Sequence, residues 1–211
     1  MTPHQTDKPI VAAFDFDGTL TRHDSLLPFL IHVGGYMNLL IKFIYLLPTL
    51  LAYTLRFIPN NVAKNKVLRC FLVDMEMSAL HKTALVFAER KIPAMLRSEA
   101  MQRFSWHKQQ GHRCVIISAS LEHYLHPWGK MVGFDDILGS RLEELENGRT
   151  TGQLLGNNCY GPVKMQRLEA LLGPREHYTL YAYGDSRGDK ELLSAADYPF
   201  YKSFTQQGQY Q

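Results

Sequence analysis

Cysteine is scarce in this 211-residue chain: Cys70, Cys114 and Cys159 are the three present, and no two of them lie at a paired spacing. That excludes the thiolate sets of zinc ribbons and fingers and makes a disulfide framework a poor expectation. The three read as reduced thiols in a cytosolic protein. An excess of charge is missing too. A formal net charge of +3 is too slight to argue for nucleic acid, and no nucleic-acid motif is present. Residues 1–9 hold no basic-then-apolar run, so no signal peptide is expected there. Repeats and low-complexity tracts are also absent. With 45% hydrophobic residues, wholesale disorder is excluded, and the length suits one substantial core or a core with a smaller inserted domain.

The charge that is present is uneven. Residues 22–105 carry eleven Lys/Arg against five Asp/Glu, a balance of +6, which leaves −3 for the remainder. The middle segment is therefore expected to face anionic material, either a substrate or a membrane surface.

The densest chemistry lies in Val11-Ala12-Ala13-Phe14-Asp15-Phe16-Asp17-Gly18-Thr19-Leu20. This reads as an apolar strand entering a glycine turn, with Asp15 and Asp17 on one side and Phe14 and Phe16 on the other. Two converging carboxylates repel unless a cation sits between them, and hard dications such as Mg²⁺ take oxygen ligands of this kind. The N–H groups of Gly18 and Thr19 suit an anion beside such a metal. Taken alone, the stretch also fits an Asp-Gly turn that only solvates a loop. A calcium loop fits poorly, because the twelfth position from Asp15 is Leu26 rather than a bidentate Glu.

Helical character follows from about Leu26 to Trp106. A second apolar strand then runs Gly111-His112-Arg113-Cys114-Val115-Ile116-Ile117-Ser118. Thr151 to Asn158 looks like hairpin or loop, a helix is expected from Pro162 through Lys164 to Leu172, and Tyr178 to Tyr183 forms a third strand ending in Gly184-Asp185. Strand, helical insertion, strand, helix, strand, helix predicts an α/β fold with a parallel sheet and right-handed crossovers. Asp15, Ser118 and Asp185 then fall at carboxyl ends of strands, where such sheets build their sites. Individually, Ser118 could cap the helix beginning near Leu121, Lys164 could be a surface lysine, and Asp185 and Asp189 could be turn residues.

In this order, Asp15-Phe16-Asp17-Gly18-Thr19, Ser118, Lys164 and Gly184-Asp185-Ser186-Arg187-Gly188-Asp189 resemble the four motifs of the haloacid dehalogenase superfamily of phosphotransferases. The resemblance spans Val11 to about Phe204. The helical insertion, together with Gly133 to Glu143, Thr151-Gly152 and Asn158 to Gly161, is similar to the phosphoserine-phosphatase-like subfamily IB. It implies a Rossmann-like core from residues 1–21 and 107–211, with residues 22–106 as an all-helical cap inserted between the first and second strands. It implies that Asp15 is the nucleophile, forming an aspartyl-phosphate, and that Asp17 is the general acid and base. Mg²⁺ would be held by Asp15, the backbone carbonyl of Asp17 and Asp185, with Asp189 supporting that shell. Gly18, Thr19, Ser118, Ala119 and Lys164 would meet the phosphoryl group. An aspartate at position 17 favours phosphoryl chemistry over carbon–halogen cleavage.

The segment Leu39 to Leu55 is apolar around nearly its whole circumference, so it belongs against protein or lipid. A helix pair packed inside the cap and broken at Pro48 is the expectation for a small soluble phosphatase. A transmembrane span is weakened by Lys42 and Pro48. A third placement rests the cap on anionic headgroups, with Arg56, Lys64, Lys66 and Arg69 nearby. This last arrangement resembles C-type phosphatidylglycerophosphatases, whereas phosphoserine phosphatases read their substrate with an acidic and a basic cap residue. Asp24 stands at the acidic position, one methylene shorter than the family's glutamate, and Arg56 is the candidate basic one. Arg22, His23, Asp24 and Ser25 either line the pocket or begin the cap helix, with Asp24 or Ser25 as its N-cap. The expected activity is Mg²⁺-dependent hydrolysis of a small phosphomonoester or a phospholipid headgroup phosphate. It is expected in the cytoplasm, with peripheral contact to the inner face of the membrane and no nucleic-acid partner. Phosphoserine hydrolysis is the alternative enzyme reading, and a catalytically silent phosphate-binding or membrane-associated regulator is the alternative of another class.

Overall fold

A computed structural model describes residues 8–204. Its first strand, β1 (Ile10–Phe14), is followed by a tight loop and four helices: α1 (Leu26–Thr54), α2 (Asn60–Leu72), α3 (Met77–Arg90) and α4 (Ser98–Gln109). Then come β2 (Arg113–Leu121), α5 (Glu122–Val132), β3 (Asp136–Ser140) and a hairpin of β4 (Leu142–Glu144) and β5 (Thr150–Leu154). The chain continues through α6 (Pro162–Leu172), β6 (Thr179–Gly184), α7 (Lys190–Ala195) and β7 (Tyr198–Tyr201). Five strands make one sheet in the order β3-β2-β1-β6-β7, every pair parallel. This is the Rossmann-like α/β fold expected from the strand and helix pattern.

The continuous apolar runs follow from burial on both faces of that sheet. Ala12, Phe14, Cys114, Ile116 and Tyr183 enter one core, while Val11, Ala13, Val115, Ile117, Leu180 and Ala182 enter a second core on the opposite face. Sequence reasoning finds the three central strands and misses both edges. β3 and β7 are only five and four residues long, and β7 contains Pro199, which an edge position tolerates. β2 runs three residues past Ser118, with its pairing to β3 irregular between Ile117 and Leu121. Ser118 therefore lies inside the strand and does not cap α5.

The insertion leaves and returns at one place, where Thr21 and Leu96 form an isolated antiparallel bridge. The last helix before β2, α4, packs on the sheet: Phe104 stacks 4.1 Å from Phe134, and His107 Nε2 lies 2.8 Å from the Tyr183 hydroxyl. α1 departs from the expected packing. It runs through Pro48 as one helix and breaks helical geometry at Gly35 (φ +75°, ψ 165°) instead. Nor is it buried within the cap, because α2 and α3 cover one side only. Phe29, Leu30 and Leu46 are its buried residues, while Ile44 and Tyr45 are 74% and 78% exposed.

Candidate active site

Beyond the carboxyl ends of β1, β2 and β6 lies a cavity of about 670 Å³, roofed by α1 and α2. β1 delivers Asp15 to its floor, where the Asp15 N–H still donates to Tyr183 O at 2.9 Å, so the nucleophile candidate is fixed by the sheet itself. Gly18 then turns the chain with φ +79°, and a Cβ there would collide with the Asp185 carboxylate. Both reasons require glycine.

Lys164, buried on the first turn of α6, joins the motifs. Its Nζ lies 2.6 Å from Asp15 Oδ1 and 2.5 Å from Asp189 Oδ1. The second oxygen of Asp189 accepts from the N–H groups of Asp185 (3.2 Å) and Ser186 (3.0 Å) and from the Ser186 hydroxyl (2.9 Å). Asp189 thus holds the lysine and shapes the loop carrying Asp185. Burial alone would drag the Lys164 ammonium down, but the two facing carboxylates outweigh it and raise its pKa. Asp15 is pushed up to about 6, chiefly by burial, with Lys164 opposing and Asp189 reinforcing the rise. Asp185 is also raised by burial and by Asp189.

Asp17 is held by a different set of partners. Its Oδ1 accepts from the Ser25 N–H at 2.8 Å, and its Oδ2 accepts from the Ser120 hydroxyl. Ser25 Oγ in turn meets Tyr124 OH at 2.9 Å and Ser120 Oγ at 3.3 Å. Burial and then the charge of Asp24 push Asp17 up to about 7, against the Ser120 and Ser25 side chains that lower it. A carboxyl that trades protons near neutrality is suited to general acid–base work.

A hard cation fits this chemistry. Asp15, Asp185 and Asp189 each bring a carboxylate oxygen within 4.8 Å of the others. Asp185 Oδ1 is buried with no hydrogen-bond partner among the described residues, an orphan that a metal ion would satisfy.

Of the other expected site residues, Ser118 and Ala119 line the cavity, and Asp24 does so while also capping α1 through Oδ1 to the N–H groups of Leu26 (2.8 Å) and Leu27 (3.4 Å). Both readings of Asp24 therefore hold together. The buried Thr19 faces a smaller cavity of about 310 Å³ behind the loop, and Gly18 borders both cavities. Arg56 is exposed and lies outside the cavity lining. Arg22 and His23 line the cavity, as does Lys64 of α2, which donates to Ala119 O and, at 2.9 Å, to Asn158 Oδ1. Burial lowers it to about 8, with Asp17 and Asp24 opposing. Sequence reasoning places Lys64 only near lipid and omits Ser120, Tyr124 and Asn158 from the site. The only local signals were a second serine after Ser118 and the Asn158-Cys159-Tyr160-Gly161 turn.

The family model described as haloacid dehalogenase-like hydrolase matches residues 12–194. The chain belongs to that family. It is 35% identical over 206 residues to protein CicA of Caulobacter vibrioides, covering 97% of this chain and 90% of that protein. It is 29% identical over 129 residues to a histidinol-phosphatase of Neisseria meningitidis, covering 59% and 57% respectively. A crystal structure of a protein of unknown function from Bordetella pertussis superposes with a TM-score of 0.76 at 20% identity, covering 91% of this chain and 89% of that one. A phospho-aspartyl intermediate analogue of phosphoserine phosphatase superposes with a TM-score of 0.59 at 16% identity, covering 90% and 84%. These likenesses show the same fold, with helices inserted into a haloacid dehalogenase-like core.

Proposed function

We propose that this chain is a Mg²⁺-dependent phosphomonoester phosphatase working through an aspartyl-phosphate on Asp15. The family match and the phosphatases among its relatives support phosphatase chemistry. The observation that carries the mechanism is the separation of the two carboxyls. Asp15 is held by Lys164 beside Asp185 and Asp189, while Asp17 is held apart by Ser120 and Ser25.

In this reading an oxygen of Asp15 attacks phosphorus and the bond from phosphorus to the ester oxygen breaks. Asp17 gives its proton to the leaving alkoxide. Asp17 then takes a proton from water, whose oxygen attacks phosphorus and frees Asp15 and inorganic phosphate. Lys164, Ser118 and the N–H groups of Gly18 and Ala119 meet the phosphoryl oxygens, while Thr19, expected there from the sequence, faces the cavity behind the loop. Asp15, Asp185 and the Asp17 carbonyl would hold Mg²⁺, which when bound would offset the crowded negative charge.

We place the cap at residues 22–96, with α4 on the core side. The substrate is a small phosphomonoester or a phospholipid headgroup phosphate, and the apolar cavity wall of Leu26, Leu50, Tyr53 and Val67 supports an apolar part beside the phosphate. The phosphoserine alternative keeps Asp24 but loses Arg56. Three free thiols are in keeping with a cytoplasmic setting.

The test is phosphate release from a panel of phosphomonoesters with Mg²⁺ and with chelator, for the wild type and Asp15→Asn. Release that needs Mg²⁺ and vanishes in Asp15→Asn is expected. Turnover undiminished in that variant would remove Asp15 as nucleophile. No release from any substrate by a metal-binding wild type would favour the silent regulator.

A further inference from the structure

α1 presents an outer face that nothing among the described residues covers. Tyr36, Met37, Leu40, Ile41, Ile44 and Tyr45 are each 60% or more exposed, and Phe57, just past the helix, is 78% exposed. Single exposed apolar residues are ordinary, but a contiguous face of this size marks an interaction surface.

The kind of surface follows from charge. From Ser25 to Val73 the chain holds no aspartate or glutamate, while Lys42, Arg56, Lys64, Lys66 and Arg69 are all cationic. Lys64 is committed to the cavity, Lys42 on α1 lies 4.9 Å over the Phe71 ring of α2, and Arg56, Lys66 and Arg69 are exposed along the same acid-free stretch. A second copy of this chain in a two-fold contact would set this acid-free, cationic stretch against itself. An anionic bilayer complements it, taking the aromatic and aliphatic side chains at the headgroup boundary and the cations among the phosphates.

α1 is also long and apolar enough to cross a membrane. A span would strip Phe29, Leu30 and Leu46 from their packing and withdraw Leu50 and Tyr53 from the cavity wall. A helix lying flat keeps all five in place. We propose that the face formed by α1 and α2 docks on anionic lipid, with α1 in the plane of the interface. Because the inner side of α1 lines the cavity, docking sets the catalytic mouth beside the bilayer surface. That consequence for substrate, a phosphomonoester presented with its apolar part at a lipid surface, rests on the phosphatase reading.

The experiment is co-sedimentation of the full chain with phosphatidylcholine vesicles and with vesicles also containing phosphatidylserine, at low and high salt. The double variant Ile44→Glu/Tyr45→Glu is compared in parallel, with Mg²⁺-dependent hydrolysis of p-nitrophenyl phosphate measured for both proteins. Binding to anionic vesicles, weakened by salt and reduced about tenfold or more in the variant with hydrolysis unchanged, is expected. Absence of binding by the wild type, or equal binding by the variant, overturns the docking. So does a wild-type dimer by light scattering that the variant splits while neither protein binds vesicles, which would assign the face to a second copy. Vesicle binding without hydrolysis leaves the docking standing and overturns the phosphatase reading alone.

Discussion

Lys164 stands between two buried carboxylates, and removing it would leave both without a counter-charge. Lys164→Met is therefore expected to destabilise the metal-free protein by about 3 kcal/mol, read from urea denaturation, beyond any loss of turnover. A variant as stable as the wild type would show that Asp15 and Asp189 need no such partner. Ser120 matters differently. Its hydroxyl donates to Asp17 and touches none of the three carboxylates that could hold a metal. Ser120→Ala should lower kcat about tenfold, the equivalent of about 1.4 kcal/mol, with the folded state intact by circular dichroism. An unchanged kcat would mean that Ser25 alone positions the acid. The proposed roles of Asp15, Asp17, Lys164 and Asp185 could be named from the sequence because their order along the chain resembles the family's four motifs, although Lys164 has no characteristic neighbours of its own. Those of Ser120 and Tyr124 could not, because their role exists only where β2 and the start of α5 meet the loop after β1.

At the scale of elements, α1 and α2 decide what the cap does. Gly35 bends α1 with a φ of +75° and a ψ of 165°, a conformation open essentially to glycine alone. Open space surrounds a Cβ built there, so the penalty of Gly35→Ala is backbone strain of about 1–3 kcal/mol. Faster hydrogen exchange is expected in α1, with the sheet unaffected. Unaltered exchange in α1 would mean that the bend relaxes without cost. On α2, Lys64 tethers cap to core through Ala119 O and Asn158. Lys64→Met should raise KM about tenfold for small phosphomonoesters, since charge-assisted hydrogen bonds are lost at the cavity. An unchanged KM would show that the tether is dispensable. The helical character of the insertion was evident from its composition. Its packing was not: an all-apolar helix has the same sequence signature whether protein or lipid covers it, and Pro48 marks no break once the bend is taken at Gly35.

For the whole molecule, the proposed metal would compete with protons for Asp15, and Asp17 titrates beside it. Asp15 and Asp17 hold protons to about 6 and about 7 when folded, against 3.8 ordinarily. Between about pH 4 and 7 the folded protein therefore binds more protons there than the unfolded chain, and these two groups lower stability as pH rises. His107 and His123 act in the opposite sense below 6.5, because burial lowers them to about 3 and about 4. The total pH profile thus mixes both, and the clean readout is the rise in Tm on adding Mg²⁺ over chelator. That difference should grow from about pH 5 to about pH 7, as protons leave the metal ligands. A difference independent of pH would place the metal away from Asp15.

The sequence by itself determined the parallel sheet and the order of the candidate site residues along it. Doubly buried strands demand unbroken apolar runs, and a carboxylate set at a strand end demands a local turn, so both leave their mark within a few residues. Only the tertiary structure decided that Lys64 rather than Arg56 joins Arg22 at the cavity, and which face of α1 stays bare. Those outcomes depend on how helices some 55 to 94 residues from their partners rotate against the core. Rotation about a helix axis is set by packing, not by anything local in the chain.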